Sequence, residues 1–511
     1  MDTASDYLHF RTETDDDNIV WLTFDKADAG TNVFSPEVLE ELDSVLQRIA
    51  EQPPRGMVIL SGKPNGFIAG ADIKSFTDVR NEQDAMAFLK RGQEVFNRLA
   101  GFLFPTVALI HGFCLGGGTE MALACRYRIM RDDPGTRIGL PEVRLGIHPG
   151  WGGSARMVPL IGAIKAMDLI LSGRSIDGRT AKRFGLADHI SAERHLRAAA
   201  RRLVLDRPEP YRAGLVDRLS NHALIRPLLG RVFRKQVGKR ARKQHYPAPY
   251  AMIDIWQQHA GNTSRMLQAE AESLARLITG ATARNLIRVF FLMEQLKSLG
   301  KDSNWRPAHV HVIGAGTMGG DIASWCALRG FRVSLQDQAP ERIAPAVGRA
   351  HSLFRRKLKH PRKIQAAMDR LIPDHRGLGI GHADIVIEAI FEDAEVKRAL
   401  YRDIEPRMKE DAILASNTSS IPLEELTESL SRPGRLVGLH FFNPVAKMQL
   451  VEIVHGKDTD GEVASRAMAF TRQIDRLPLP VSSTPGFLVN RILMPYLMEA
   501  VVLESEGVPA T

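Results

Sequence analysis

Residues 309–337 leave the second half of this chain little freedom. They read HVHVIGAGTMGGDIASWCALRGFRVSLQD: an apolar strand, Gly314, Gly316 and Gly319 at GxGxxG spacing, a helical stretch, a second strand and an acid, Asp337. A lone GxGxxG is a weak signal. Strand before, helix after and an acid closing the next strand make it specific, because each part has its own physical task. Gly314 permits a tight turn, Gly316 lets a pyrophosphate approach the backbone, and Gly319 lets the helix pack close to the strand. Thr317 and Met318 open the helix, where N–H groups without intrahelical partners favour an anion. A carboxylate at Asp337 accepts hydrogen bonds from a ribose 2′-OH and repels a 2′-phosphate. The expected cofactor is therefore NAD rather than NADP.

With 511 residues the chain is too long for one core, and several domains are expected. Apolar runs at 18–25, 56–62 and 106–114 alternate with helical patterns such as 36–50, which predicts an α/β layer fold over 1–190, closed by a helix ending at Gly185. Residues 191–300 predict a helical connector. It holds a basic run at 226–243, a helix-breaking YPAPYAMID segment, and one long helix from about 264 to 299. Strand candidates resume at 309–313, 332–337, 384–390, 412–416, 436–442 and 450–455. Their continuous apolar character suits parallel strands buried on both faces, giving a nucleotide-binding domain over 301–481. A helical segment fills 482–511.

The net charge of +9 suits a polyanionic ligand such as coenzyme A, and equally a dispersed positive surface. Cys114, Cys125 and Cys326 form no CxxC pair, so buried reduced thiols and no metal are expected. The N-terminus MDTASDYLHFRTETDDD is acidic and lacks the apolar core of a signal peptide. No apolar run is long enough to span a bilayer. A cytoplasmic bacterial protein with no nucleic-acid partner is expected.

Two glycine-rich stretches in the first half, FIAGADI (67–73) and LGGGTE (115–120), place small residues where a strand gives way to a helix. Backbone N–H groups there can hold the charge that builds on a thioester carbonyl oxygen. Glu120 and Glu142 add two carboxyl groups, which could take a proton from water and deliver one to carbon if their environments differ. Spacing alone does not show that they meet. In the second half, His440 in GLHFFNP is a candidate base for a hydroxyl proton, and Glu452 in LVEIVHG a candidate partner for its ring.

FIAGADI, GFCLGGGTEMALAC, GLPEVRLGIHPGWGGSAR and LSGRSIDGRTAKRFGLADHI together resemble the enoyl-CoA hydratase (crotonase) family over residues 15–190, with the helix near 264–299 completing the domain. The resemblance implies a ββα-spiral fold. It also implies an oxyanion hole from the N–H groups of Ala71 and Gly117, and an acid–base pair in Glu120 and Glu142. VIGAGTMGG, DIVIEAIFED, ILASNTSSIPL, GLHFFNPVAKMQLVEIV and PGFLVNR resemble, in order, the 3-hydroxyacyl-CoA dehydrogenase family over 308–511. That resemblance implies His440 as base with Glu452 as partner. It implies Ser419, Asn443 and Asn490 around the substrate, and Glu388 near the nicotinamide.

In tandem the halves resemble the multifunctional fatty-acid oxidation complex α-subunits. This implies acyl-CoA thioester substrates, hydration of a trans-2-enoyl-CoA followed by NAD-dependent oxidation, possible migration of a double bond, and a 3-ketoacyl-CoA thiolase subunit as partner. The dehydrogenase family continues into an all-α C-terminal domain, of which 482–511 resembles only the start. An end at Thr511 is expected to expose apolar surface on 484–503. Two alternatives are a hydratase whose second half merely binds NAD or CoA, and a scaffold that docks a thiolase. Glu120, Glu142, His440 and Glu452 argue against the scaffold.

Overall fold

The computed structural model describes residues 7–509. Residues 1–6, which open the acidic N-terminal stretch, and 510–511, which include Thr511, lie outside the described residues. The chain divides into two compact units, Met1–Phe290 and Phe291–Thr511.

Unit one holds strands β1 (Phe10–Thr14), β2 (Ile19–Phe24), β3 (Gly56–Ser61), β4 (Gly66–Ile68), β5 (Thr106–Ile110), β6 (Phe113–Leu115), β7 (Tyr127–Arg131), β8 (Arg137–Gly139), β9 (Ser175–Asp177) and β10 (His189–Ser191). They form one sheet in the order β1-β2-β3-β5-β7-β10 and a second in the order β4-β6-β8-β9. The run expected as one strand over 106–114 is two strands in different sheets. Gly112 makes the break at φ +56, where a Cβ would stand 2.3 Å from Asn65 O, so only glycine fits the corner. The helix Gly178–Phe184 ends as expected at Gly185, in the left-handed region.

Two expectations for the connector are corrected. Residues 264–299 form two helices, Thr263–Ile278 and Ala281–Ser298. Thr279 Oγ1 donates to the carbonyls of Ala275 and Arg276, and Gly280 is a poor helix residue, so the first helix stops there. Pro247 and Pro249 start the helix Pro247–His259 instead of only interrupting one. Both sit in its first turn, where a backbone N–H has no intrahelical partner.

Unit two holds β11 (His309–Ile313), β12 (Arg332–Gln336), β13 (Leu371–Pro373), β14 (Ile385–Glu388), β15 (Ile413–Ser416), β16 (Leu436–Phe441), β17 (Leu450–His455) and β18 (Leu477–Ser482). The sheet order is β13-β12-β11-β14-β15-β16-β17-β18. Its first six strands are parallel, the doubly wound arrangement. β17 departs from the expected parallel set by pairing antiparallel with β16. β13 and the proline-bearing β18 were not legible as strands; β18 tolerates its prolines because it lies at the sheet edge. The terminal helix Val489–Ser505 has no buried residue, and Ile492, Tyr496, Met498 and Val501 are exposed.

The glycine turn after β11 is fixed by contact. A Cβ on Gly319 would stand 1.9 Å from Gly314 O, and one on Gly314, at φ +101, would stand 2.5 Å from Ala389 O. Gly319→Ala should therefore destabilise unit two by about 1–3 kcal/mol, the cost of overpacking, and weaken NAD binding. Thermal melting and NAD titration check this; unchanged values for both would contradict the packing.

Candidate active sites

The first site forms where the helix Gly117–Ala124 leaves β6. Thr119 Oγ1 donates to Cys114 O and Gly139 O, both at 2.8 Å, and so locks the helix start to β6 and β8. Ala71 forms a bridge with Phe34, whose backbone N–H and C=O bond to Gly70 O and Asp72 N, so the Ala71 N–H is not used there. Gly117 lies in the first helical turn, where N–H groups lack intrahelical acceptors. A Cβ built on Gly117 would stand 3.4 Å from Ala71 N, which places the two amides together. That Cβ would also strike the Trp151 ring at 2.6 Å, so glycine is required beneath the paired donors.

Glu120 and Glu142 are both held in this region, in different ways. Glu120 Oε1 accepts the N–H groups of Trp151 and Gly153, each at 2.8 Å. Glu142 follows β8 in a short 3-10 turn, and a Cβ on Gly116 would meet its Oε1 at 3.1 Å. Both Glu142 oxygens are buried with no hydrogen-bond partner. Burial raises both carboxyls above their ordinary range, and Glu142 is pushed well above it, by burial and then by the Glu120 charge. For Glu120, the Gly153 and Trp151 N–H groups and the Arg156 charge oppose that rise. Glu142 is thus the better proton donor and Glu120 the better proton acceptor.

A third carboxyl, Glu270 from the helix Thr263–Ile278, was not singled out from sequence. It is fully buried and accepts the N–H groups of Gly152 at 2.9 Å and Ala155 at 3.0 Å.

The second site is a cleft of about 1030 Å³ lined by Gly314, Ala315, Gly316, Thr317, Met318 and Asp337 on one side. Ser419, His440, Asn443 and Asn490 also line it. His440 and Glu452 are register partners across the antiparallel β16–β17 pair. His440 Nδ1 bonds to Glu452 Oε2 at 2.6 Å, leaving Nε2 to exchange a proton. Glu452 Oε1 accepts the N–H groups of Leu488 and Val489 at 3.0 and 2.8 Å. Burial pushes the Glu452 carboxyl up, but the bond to His440 and these two donors outweigh it and keep it below the usual range. Asn490 Nδ2 donates to Ser419 O at 3.2 Å.

The turn fits a dinucleotide. Nothing lies within 4 Å of a Cβ built on Gly316, so that face is open to the cleft. Asp337 Oδ2 accepts the Ala315 N–H at 2.7 Å, which holds the carboxylate beside the glycine turn. Gly319 serves packing and does not line the cleft.

Glu388, expected near the nicotinamide, lies beneath the cleft and is fully buried. It accepts from Lys397 Nζ at 2.6 Å, and from Tyr401 OH and Ser416 Oγ at 2.8 Å each. Glu392 is the glutamate that lines the cleft. It accepts the Ser419 N–H at 2.6 Å and Ser419 Oγ at 3.0 Å, and Lys397 bridges it to Glu388. Neither Glu392 nor Lys397 was singled out from sequence. The only trace there is the acidic spacing in DIVIEAIFED and the lysine in the helix after it.

The family profile described as enoyl-CoA hydratase/isomerase matches residues 14–208. The profile described as 3-hydroxyacyl-CoA dehydrogenase, NAD binding domain, matches residues 309–484. The fatty acid oxidation complex subunit alpha of Aliivibrio fischeri is 36% identical over 98% of this chain and 74% of its own length. The subunit of that name from Vibrio cholerae is 35% identical over 98% of this chain and 73% of its own. That from Shewanella amazonensis is 35% identical over 96% and 72%.

The chain belongs to the fatty acid oxidation complex subunit alpha family. It spans about three-quarters of the length of these relatives. As a family member it is a bifunctional enzyme of fatty acid β-oxidation, an enoyl-CoA hydratase and an NAD-dependent 3-hydroxyacyl-CoA dehydrogenase. Among the described residues no helix is long and apolar enough to cross a membrane.

The buried acid of the first site should cost stability in a pH-dependent way. Below its ordinary value of 4.5, Glu142 is neutral in both folded and unfolded chains. Above that value the unfolded chain gains by ionising and the folded chain does not, because its proton is held more tightly. Glu142→Gln removes the difference. The variant should melt together with the parent at pH 4 and higher than it at pH 7. The gain at pH 7 is at most about 3.5 kcal/mol, since each pH unit above 4.5 is worth about 1.4 kcal/mol. Equal melting at pH 7 would show that Glu142 ionises freely in the folded protein.

Proposed function

We propose that Glu120, Glu142, Ala71 and Gly117 carry the hydration, and that His440, Glu452, Ser419, Asn443 and Asn490 carry the oxidation. The observation behind the first assignment is the asymmetry of the two glutamates: one has two N–H donors and the other none. A trans-2-enoyl-CoA places its thioester oxygen against the Ala71 and Gly117 N–H groups. Glu120 takes a proton from water as the oxygen adds to C3, and Glu142 delivers its proton to C2. The N–H pair stabilises the enolate that develops between the two events. The same proton relocation would move a 3-enoyl double bond to the 2-position.

The 3-hydroxyacyl-CoA formed is the substrate class of the second site. His440 Nε2 removes the hydroxyl proton, and the Glu452 carboxylate stabilises the ring when charged. Ser419 and Asn490 orient the substrate's oxygens, with Asn443 in the polar wall. The Gly314–Gly319 turn and Asp337 hold NAD, which supplies the hydride acceptor when bound. Lys397, Glu388 and Glu392 fix the Ser419 segment. The shared family supports a cytoplasmic enzyme that docks a 3-ketoacyl-CoA thiolase subunit, which would consume the product.

Glu120→Gln and Glu142→Gln should each lower crotonyl-CoA hydration by roughly 10²–10⁴, the usual worth of a general acid or base. NAD-dependent oxidation of 3-hydroxybutyryl-CoA should persist in both. Near-normal hydration by either variant would remove it from the assignment. Asp337→Ala should weaken NAD binding by roughly 10- to 100-fold, the scale of hydrogen bonds to a charged group, and narrow the preference over NADP. Calorimetry with both cofactors checks this; equal affinities in the parent chain would overturn the NAD assignment of Asp337.

A further inference from the structure

Glu270 is a buried acid that the hydration chemistry above does not use. It belongs to the helix Thr263–Ile278, beyond the segment 14–208 that the hydratase/isomerase profile covers. Its position is tied to the site by the turn between His148 and Ala155, whose N–H groups alternate between two carboxyls. Those of Trp151 and Gly153 go to Glu120. Those of Gly152 and Ala155 go to Glu270, as does the Ser154 hydroxyl. The same helix holds the rest of the turn. His148 Nε2 bonds to Ser273 Oγ at 2.9 Å, and Gln93 Nε2 donates to both Gly150 O and Leu267 O at 2.8 Å.

Such an arrangement is costly if its only purpose is to cap a helix. A buried carboxyl is expensive, and a serine or asparagine would cap as well. We propose that Glu270 is a positioning residue of the hydratase site, fixing the turn that holds Glu120 and adding a third carboxyl whose charge acts on Glu142. The proposal rests on the reading of those two residues as the acid–base pair.

The charged groups around Glu270 are few. Glu120 comes from the helix Gly117–Ala124, Glu142 from its 3-10 turn, and Arg156 from the helix Gly153–Ile161. Arg276 lies on the same helix as Glu270. His148 is kept neutral at ordinary pH because burial pushes it down to about 4. The residues that Glu82–Ala100 and Pro247–His259 bury carry no charge.

Burial, and then the Glu120 charge, push the Glu270 carboxyl up to about 8. Below that pH it is mostly neutral and acts through its hydrogen bonds. As pH rises through 8 it ionises, and a new negative charge beside Glu142 makes that acid hold its proton to higher pH. Glu270 would then extend hydration on the alkaline side and leave the acid side unchanged.

The test is the pH profile of kcat/KM for crotonyl-CoA hydration in the full chain, for the parent, Glu270→Gln and Glu270→Ala. Circular dichroism and melting show that each variant is folded. Glu270→Gln keeps a neutral acceptor, so its rate at pH 7 should change little. Its alkaline limb should move down by about one pH unit, the scale of losing a nearby like charge, with the acid limb fixed. Glu270→Ala frees the turn and should lose about 10- to 100-fold in kcat at all pH, with a smaller change in KM. A residue that only stabilises the fold would lower the profile without moving a limb. An unmoved alkaline limb in Glu270→Gln overturns the proposal, and that variant decides the matter even if Glu270→Ala does not fold. Glu142→Gln run alongside separates the two readings. If it is inactive and Glu270→Gln is unmoved, this inference alone fails. If it hydrates normally, the acid–base assignment fails first.

Discussion

A carboxyl group taken out of water must be given N–H donors or keep its proton, and both active sites are organised around that constraint. Glu120, Asp337 and Glu452 take the first alternative, each accepting backbone amides from a turn or a helix start, while Glu270 accepts amides and still keeps its proton below about pH 8. Glu142 is given none and takes the second. The chemistry assigned to each residue follows from which alternative the backbone imposes on it. A base needs donors that keep it ionised, and an acid needs their absence. For Glu120 the N–H groups that oppose the effect of burial come from a turn whose shape depends on Gly152, at φ +97.

The turn from His148 to Ala155 shows how distant parts of the sequence meet in one site. It receives Gln93 from one helix at Gly150, and Ser273 and Glu270 from another at His148 and Gly152. Its Trp151 ring packs edge-on against Phe34, Phe88 and Phe96. The same ring lies where any side chain on Gly117 would have to go. The Ala71 and Gly117 amides, Glu120 and the aromatic core are therefore one packed assembly, and a change of volume in any part is transmitted to the others.

The sequence carried the chemistry more clearly than the geometry. The Gly314 turn and Asp337 were legible because their spacing has a mechanical meaning. The two glutamates and the His440–Glu452 pair were legible only through resemblance, since the members of each pair lie on different elements. What misled was local composition. Gly112 hid a change of sheet inside an apolar run. The continuous apolar character of β17 gave no sign that it runs antiparallel to β16, which is the pairing that sets Glu452 opposite His440. Glu388, expected near the nicotinamide, is buried against Lys397 and Tyr401, and Glu392 is the glutamate that lines the cleft. Glu270 did leave a trace. In the helix Thr263–Ile278 it falls with Met266, Leu267, Ala271, Leu274 and Ile278 on the buried face, and an acid in that register calls for donors from elsewhere in the fold.

The two oxygens of Glu452 face different tasks. One orients the His440 ring, and the other receives the first amides of the helix Val489–Ser505. A single rigid carboxyl plane therefore links the tilt of an imidazole to the bearing of a seventeen-residue helix. Loss of that carboxyl would release the imidazole and the first amides of the helix together.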